Sequence, residues 1–147
     1  MTPTFARLPK VEPERLAEVT AAIVGICEGS SYKPGVVSHS ANAPAALRLA
    51  SDGFAGQLRQ CDFDLGRPLF GDQGETFGMV DIGDIATNAS DPAGNRDRIT
   101  AGIGKILEAG AVPVVLGGDD SVPIPVLQAY EGRPLRVDGT SMADLQV

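Results

Sequence analysis

The sequence predicts an α/β fold: a three-layer arrangement in which a mostly parallel sheet carries helices on both faces. Three observations predict it. Short apolar runs alternate with helical segments, which is the pattern of βαβ units. Glycine and proline are frequent, at 18 and 11 residues, while aromatic residues make up only 5%. That balance suits tight strand-to-helix turns better than a β-sandwich. Finally, 43% hydrophobic and 21% charged residues over 147 positions describe one globular domain rather than a disordered chain.

Residues 1–20 read as a polar N-terminal extension broken by Pro3, Pro9 and Pro13, with one helical turn at Glu12-Pro13-Glu14. The run Ala21-Ala22-Ile23-Val24-Gly25-Ile26 is apolar at every position, as a strand buried on both faces requires. A loop follows through Gly29, Ser30, Ser31, Pro34 and Gly35. Asn42 then caps a helix with Pro44 in its first turn, running through Leu47 and Leu49 to about Ser51. Residues 52–77 are irregular, with an edge strand at Cys61-Asp62-Phe63-Asp64-Leu65. The next strand is Met79-Val80-Asp81-Ile82-Gly83-Asp84-Ile85. Asp91-Pro92 or Asn95 opens a helix whose buried stripe is Ile99, Ile103, Ile106 and Leu107, and Gly110 ends it. Val112-Pro113-Val114-Val115-Leu116 is a third strand, with its proline at the start, where a missing N–H costs least. After the turn Gly117-Gly118-Asp119-Asp120-Ser121 come a helix from Ile124 to Tyr130 and a fourth strand at Pro134-Leu135-Arg136-Val137.

A formal net charge of −7 argues against nucleic acid or an anionic membrane as partner and suits a small cationic ligand or a metal ion. No apolar run reaches the roughly 18 residues of a membrane span, and the N-terminus lacks the apolar core of a signal peptide. Cys27 and Cys61 form no metal or disulfide pattern, so the expected location is the cytoplasm.

In open α/β sheets ligands bind beyond the carboxyl ends of the strands. Glu28, Asp84, Asp119, Asp120 and Asp138 all fall at or just after such ends. Carboxylates gathered on one rim offer hard oxygen ligands to a divalent cation, although each acid could equally cap a helix. Residues 117–121 are the most informative stretch. Two glycines allow a sharp turn and two acids follow, where a phosphate loop would place amides and a lysine. Cation chemistry is therefore favoured over nucleotide binding.

The stretch Val115-Leu116-Gly117-Gly118-Asp119-Asp120-Ser121 resembles the Gly-Gly-Asp-His-Ser signature of the ureohydrolase family, which includes the arginases and agmatinases. Gly25-Ile26 with Gly29-Ser30-Ser31-Tyr32-Lys33-Pro34-Gly35 resembles the agmatinase loop after the first strand. Ala45-Ala46-Leu47-Arg48-Leu49-Ala50-Ser51 resembles the helix after that loop, and Asp81-Ile82-Gly83-Asp84-Ile85 resembles the family's Asp-x-Gly-Asp-Val strand. The matches keep their order over about residues 20–136. The resemblance implies the arginase-like three-layer fold over residues 21–136, a pair of manganese ions, and hydrolysis of a cationic guanidino compound to release urea. It also implies a homo-oligomeric parent protein.

Two departures accompany the resemblance. The signature's metal-binding histidine is Asp120 here, and aspartate is itself a competent oxygen ligand for manganese. The family's later signatures, Asp-Ala-His-x-Asp and Asp-x-Asp-x-x-Asp-Pro, are not among the 147 residues, and residues 137–147 form an atypical tail. The expected chain is thus a truncated, agmatinase-like N-terminal portion that is inactive alone. The alternative is a non-catalytic paralogue that assembles with a full-length ureohydrolase. Asp120 is the expected metal ligand. Asp119, Ser121 and His39, the only histidine, are expected to contact substrate or orient the ligands, with plain solvation the alternative for His39. Tyr32 is expected to pack or to anchor its loop rather than to act in catalysis, and Cys27 to fill space at a strand end.

Overall fold

The computed structural model describes residues 3–30, 32–33, 35–57, 60–68, 78–133, 136–137 and 140–141. In chain order its strands are β1 (Ala21–Ile26), β2 (Cys61–Asp62), β3 (Arg67–Pro68), β4 (Met79–Ile85), β5 (Val112–Gly117), β6 (Arg136–Val137) and β7 (Thr140–Ser141). Its α-helices are α1 (Ala43–Ser51), α2 (Pro92–Glu108) and α3 (Pro123–Gln128). β1 lies at the centre of a three-stranded sheet ordered β4-β1-β5, and both pairings are parallel. The three apolar runs of the sequence thus become the three sheet strands, and the expected crossover helix joins β4 to β5.

Alternation along β1 sorts the core into two layers. Ala22, Val24 and Ile26 point to one face, where they join Val80 and the buried α2 stripe Ile99, Ile103 and Ile106. Each isoleucine so buried stabilises the fold by about 1.5–3 kcal/mol. Val122 and Ala129, flanking α3, complete that layer. Ile23 points to the opposite face, with Leu116, Leu8 and Phe5. Asp91 opens α2 by accepting from Gly94 N at 3.0 Å, and Gly110, at φ +79°, ends it. Asn95, the other candidate start, is instead buried inside α2, where its side chain bonds the backbone of Asn88.

The N-terminal segment is not free of the sheet. Asp81 N donates to Pro9 O and Val11 N to Asp81 O, so residues 9–11 run along the outer edge of β4.

Two expected strands are corrected. Cys61-Asp62 does not lie along the main sheet but pairs antiparallel with β3 in a separate hairpin. The Asp62 carboxylate explains the early turn, because it accepts from the backbone N of both Asp64 and Leu65 at 3.0 Å. Arg136-Val137 likewise pairs antiparallel with β7 rather than extending the parallel sheet. Pro134, Leu135, Asp138 and residues 142–147 lie outside the described residues.

α1 buries an unexpected side chain. Leu47 and Leu49 face outward, whereas Arg48 is 3% exposed. Its guanidinium makes a fork with Asp81, Nε to Oδ2 at 2.8 Å and Nη2 to Oδ1 at 3.0 Å. It also reaches Asp84 and the Gly83 carbonyl. Asp81, 1% exposed, accepts further from Phe5 N at 2.7 Å and Gly83 N at 2.8 Å. A register slip between β1 and β4 at Ile23/Gly25 brings Asp84 alongside Gly25. A Cβ on Gly25 would stand 1.8 Å from the Asp84 carboxylate, so any larger residue there would displace Asp84 from Arg48.

Breaking a buried ion pair by deleting one partner costs roughly 3–5 kcal/mol. Arg48→Met is therefore expected to lower the urea-unfolding stability by about that amount, while Arg7→Ala, at the exposed pair with Asp52, leaves the midpoint unchanged. Burial opposes ionisation of Asp81, but bonds from Arg48, Phe5 N and Gly83 N outweigh it and hold its pKa below the ordinary 3.8. The stabilisation is then fully present above about pH 4 and is lost as pH falls through the depressed folded value. Urea midpoints measured at pH 6 and pH 3 should show that loss in the native chain and much less of it in Arg48→Met.

Candidate functional site

The carboxyl ends of β1 and β5 lie side by side, because the two strands pair in register up to Ile26 and Gly117. The loop after β1 and the turn after β5 therefore leave the sheet together. Their contact is intimate: a Cβ on Gly118 would stand 1.8 Å from the Cys27 carbonyl oxygen. This is a steric reason for the second glycine of the Gly-Gly pair.

Ser121 stitches the turn to the loop. Its hydroxyl accepts from Ser30 N at 2.6 Å and donates to Asp119 Oδ1, which also accepts from Ser121 N at 3.1 Å. Asp119 is 8% exposed, and its second oxygen, Oδ2, is buried and has no hydrogen-bond partner among the described residues. Asp120 points the other way, into the open rim, where Tyr32 Oη donates to its Oδ1 at 2.8 Å. Of the two roles expected for Tyr32, the exposed ring does not pack but anchors its loop, and Asp120 is its anchor point. That bond favours the protonated phenol, so the Tyr32 pKa is raised above the ordinary 10.0.

Helix capping does not account for either acid. α3 begins at Pro123, its N-cap position is Val122, and no side chain caps it. Asp119 instead closes its own turn through Ser121 N, and Asp120 binds Tyr32.

Among the described residues, the strand-end acids Glu28 and Asp84 form no metal-holding group with Asp120. Glu28 is buried and accepts from Ser38 N at 3.1 Å. Asp84 is held by Arg48. His39 is exposed in the loop, and among the described residues no hydrogen bond or ion pair joins it to the Asp119–Ser121 turn. Cys27 is half-buried, and burial, with Asp84 and Glu28 nearby, pushes its thiol pKa up, which makes it a poor nucleophile. Among the described residues no three His, Cys, Asp or Glu side chains are grouped to hold a metal ion. The donor set thus offers one exposed carboxylate, Asp120, and one orphaned buried oxygen on Asp119, which is too few for a two-metal centre.

The arginase family pattern matches residues 19–137, most of the chain. The chain belongs to the arginase family. This arginase-family chain is 39% identical over 111 residues to the mitochondrial agmatinase of Gallus gallus, a match covering 74% of this chain and 29% of that protein. It is 29% identical over 106 residues to the formimidoylglutamase of Halalkalibacterium halodurans, covering 69% and 30% of the two chains. Its fold superposes on a hypothetical agmatinase from Burkholderia thailandensis with a TM-score of 0.67 at 24% identity, covering 90% of this chain and 39% of that one. The chain therefore spans about 30% of the length of the curated relatives it matches. The expected arginase-like α/β architecture is present as its β4-β1-β5 part.

The site residue that sequence reasoning missed is Arg48. The available signal was an arginine between two leucines on a short helix, in a chain that also carries an Asp-x-Gly-Asp strand.

The Tyr32–Asp120 bond has a direct readout. In a Tyr130→Phe background, spectrophotometric titration of the remaining tyrosine is expected to show a midpoint above 10 that falls toward 10 in Asp120→Asn. An unchanged midpoint would show the two side chains to be apart in solution.

Proposed function

We propose that this chain is the N-terminal portion of an agmatinase-like ureohydrolase, a metal-dependent amidine C–N hydrolase acting on a small cationic guanidino compound. The observation that carries the reading is the Gly117–Ser121 turn at the carboxyl end of β5, where an exposed Asp120 occupies the position of the family signature's metal-binding histidine. The similarity to an agmatinase supports the substrate class. An exposed Asp120 on a chain of net charge −7 suits a guanidinium.

Within this reading, Asp120 would be one of the residues to hold a manganese ion, which when bound would supply Lewis-acid activation of water. What this chain contributes is positioning. Asp120 presents a carboxylate toward the rim, Tyr32 holds that carboxylate, and Ser121 with Asp119 fixes the turn against the loop after β1. The described residues do not complete a two-metal centre. The chain alone is accordingly proposed to be inactive. The same shortage of donors favours a second reading, a non-catalytic chain that assembles with a full-length ureohydrolase in a homologous oligomer.

A chimera tests the first reading. Residues 19–137 would replace the matched segment of the chicken agmatinase, and urea release from agmatine would be followed with added manganese. The chimera is expected to turn over, the isolated 147-residue chain is not, and Asp120→Ala in the chimera should lose about 100-fold or more in turnover together with bound manganese. Asp120→His should keep or raise manganese affinity. Full manganese content and full turnover in the Ala variant would reduce Asp120 to a turn residue.

A further inference from the structure

Arg7, Arg48, Arg98 and Arg133 each pair with a carboxylate. Arg96, exposed in the second turn of α2, has no carboxylate within ion-pair distance among the described residues. Its neighbour Asp97 does not serve, because adjacent residues on a helix do not face each other.

The Arg96 guanidinium is tied to the rim instead. Its Nη1 donates to Ser30 Oγ at 3.4 Å, and Ser30 N donates to Ser121 Oγ at 2.6 Å. Arg96 thus stands one serine away from the Gly117–Ser121 turn. Two residues after Ser30, the same loop reaches Asp120 through Tyr32 Oη. A guanidinium and an exposed carboxylate therefore meet on one rim, with at most about 7 Å of chain between Ser30 and Tyr32. The exposed described residues of that loop include Lys33 and no acid, so nothing there offsets Arg96. An arginine fork left open binds a carboxylate through two parallel N–H···O bonds. Ser30 Oγ, which accepts from Arg96, keeps its own proton to donate. An ammonium placed at the same point meets a like charge.

We infer, resting on the reading of this rim as a guanidino site, that Arg96 with Ser30 determines specificity by taking a carboxylate at the far end of the substrate. The substrate class is then a linear guanidino acid rather than a guanidino amine. Its guanidino group lies at the Asp120 end of the rim and its carboxylate at Arg96, and a few methylene groups cover the span between them. Agmatine and 4-guanidinobutanoate are matched probes for this assignment. They share the guanidino end, and one carries a carboxylate where the other carries an aminomethyl group.

The test is a titration of the isotope-labelled 147-residue chain with 4-guanidinobutanoate, agmatine, butanoate and guanidinium chloride, followed by the amide signals of Ser30, Tyr32 and Arg96. Half-saturation with the guanidino acid is expected about fivefold or more below that with agmatine, a gap that narrows as salt screens exposed charges. Arg96→Gln should abolish the gap and Arg96→Glu should reverse it. Arg15→Gln, which removes the same charge from the turn before β1, should leave it intact. Both arginines are exposed, and a dispersed amide spectrum checks that each variant folds. Agmatine binding as tightly as the guanidino acid, or a gap that survives Arg96→Gln, overturns the inference and leaves the guanidino reading standing. Butanoate binding as tightly as the guanidino acid, with guanidinium chloride silent, overturns the guanidino reading and the inference with it. Silence toward all four probes overturns the inference as well.

Discussion

The Arg48 guanidinium and the two carboxylates it binds hold this structure together. Three segments far apart in sequence meet there: the N-terminal turn through Phe5 N, α1 through Arg48 itself, and β4 through Asp81, Gly83 and Asp84. Charges this deeply buried are tolerable only when every lone pair and proton is matched. Asp81 meets that condition with four donated hydrogen bonds. The apolar layer on α2 would hold β1 against many helices of the right period. The ion cluster accepts one geometry, and it settles the face on which α1 lies and the slip between β1 and β4. Local sequence choices serve it, most visibly Gly25, which leaves room for the Asp84 carboxylate.

Strands and helices with a clean period were legible in the sequence. β1 is apolar throughout, and α2 carries isoleucines at 99, 103 and 106, so burial alone assigns both. Neither pattern needs knowledge of distant residues. The elements that were misjudged depend on such knowledge or on a polar side chain overriding a pattern. Cys61–Leu65 has strand composition, but the Asp62 carboxylate turns the chain after two residues. Arg136–Val137 follows the expected helix as a fourth sheet strand should, yet it bonds to its near neighbours in sequence. On α1 the leucines advertise a buried face, and the arginine between them takes it, because its partners lie more than thirty residues away on β4.

The site shows the same division. The turn at 117–121 was legible, since two glycines and two acids after an apolar strand leave few alternatives. The different duties of the two acids were not. Asp119 turns inward to Ser121 and Asp120 turns outward to Tyr32, and adjacent residues at such a turn are sorted only by what the loop after β1 presents to them. The acids at other strand ends were expected to share one rim. Among the described residues, Glu28 and Asp84 instead have their own partners, because a carboxylate next to an arginine or a backbone N–H is more stable there than beside another carboxylate.

This division of labour explains how a third of a larger fold keeps a recognisable rim. The sheet order β4-β1-β5 places the first strand in the middle, so later segments of the chain close on both sides of it. Its polar cluster, its α2 stripe and its loop-to-turn stitching are all internal to residues 5–130. What is not internal is concentrated on one side, at β5 and α3, where apolar groove and orphaned carboxylate oxygen coincide. The rim residues Asp120 and Tyr32 stand at the end of that same strand.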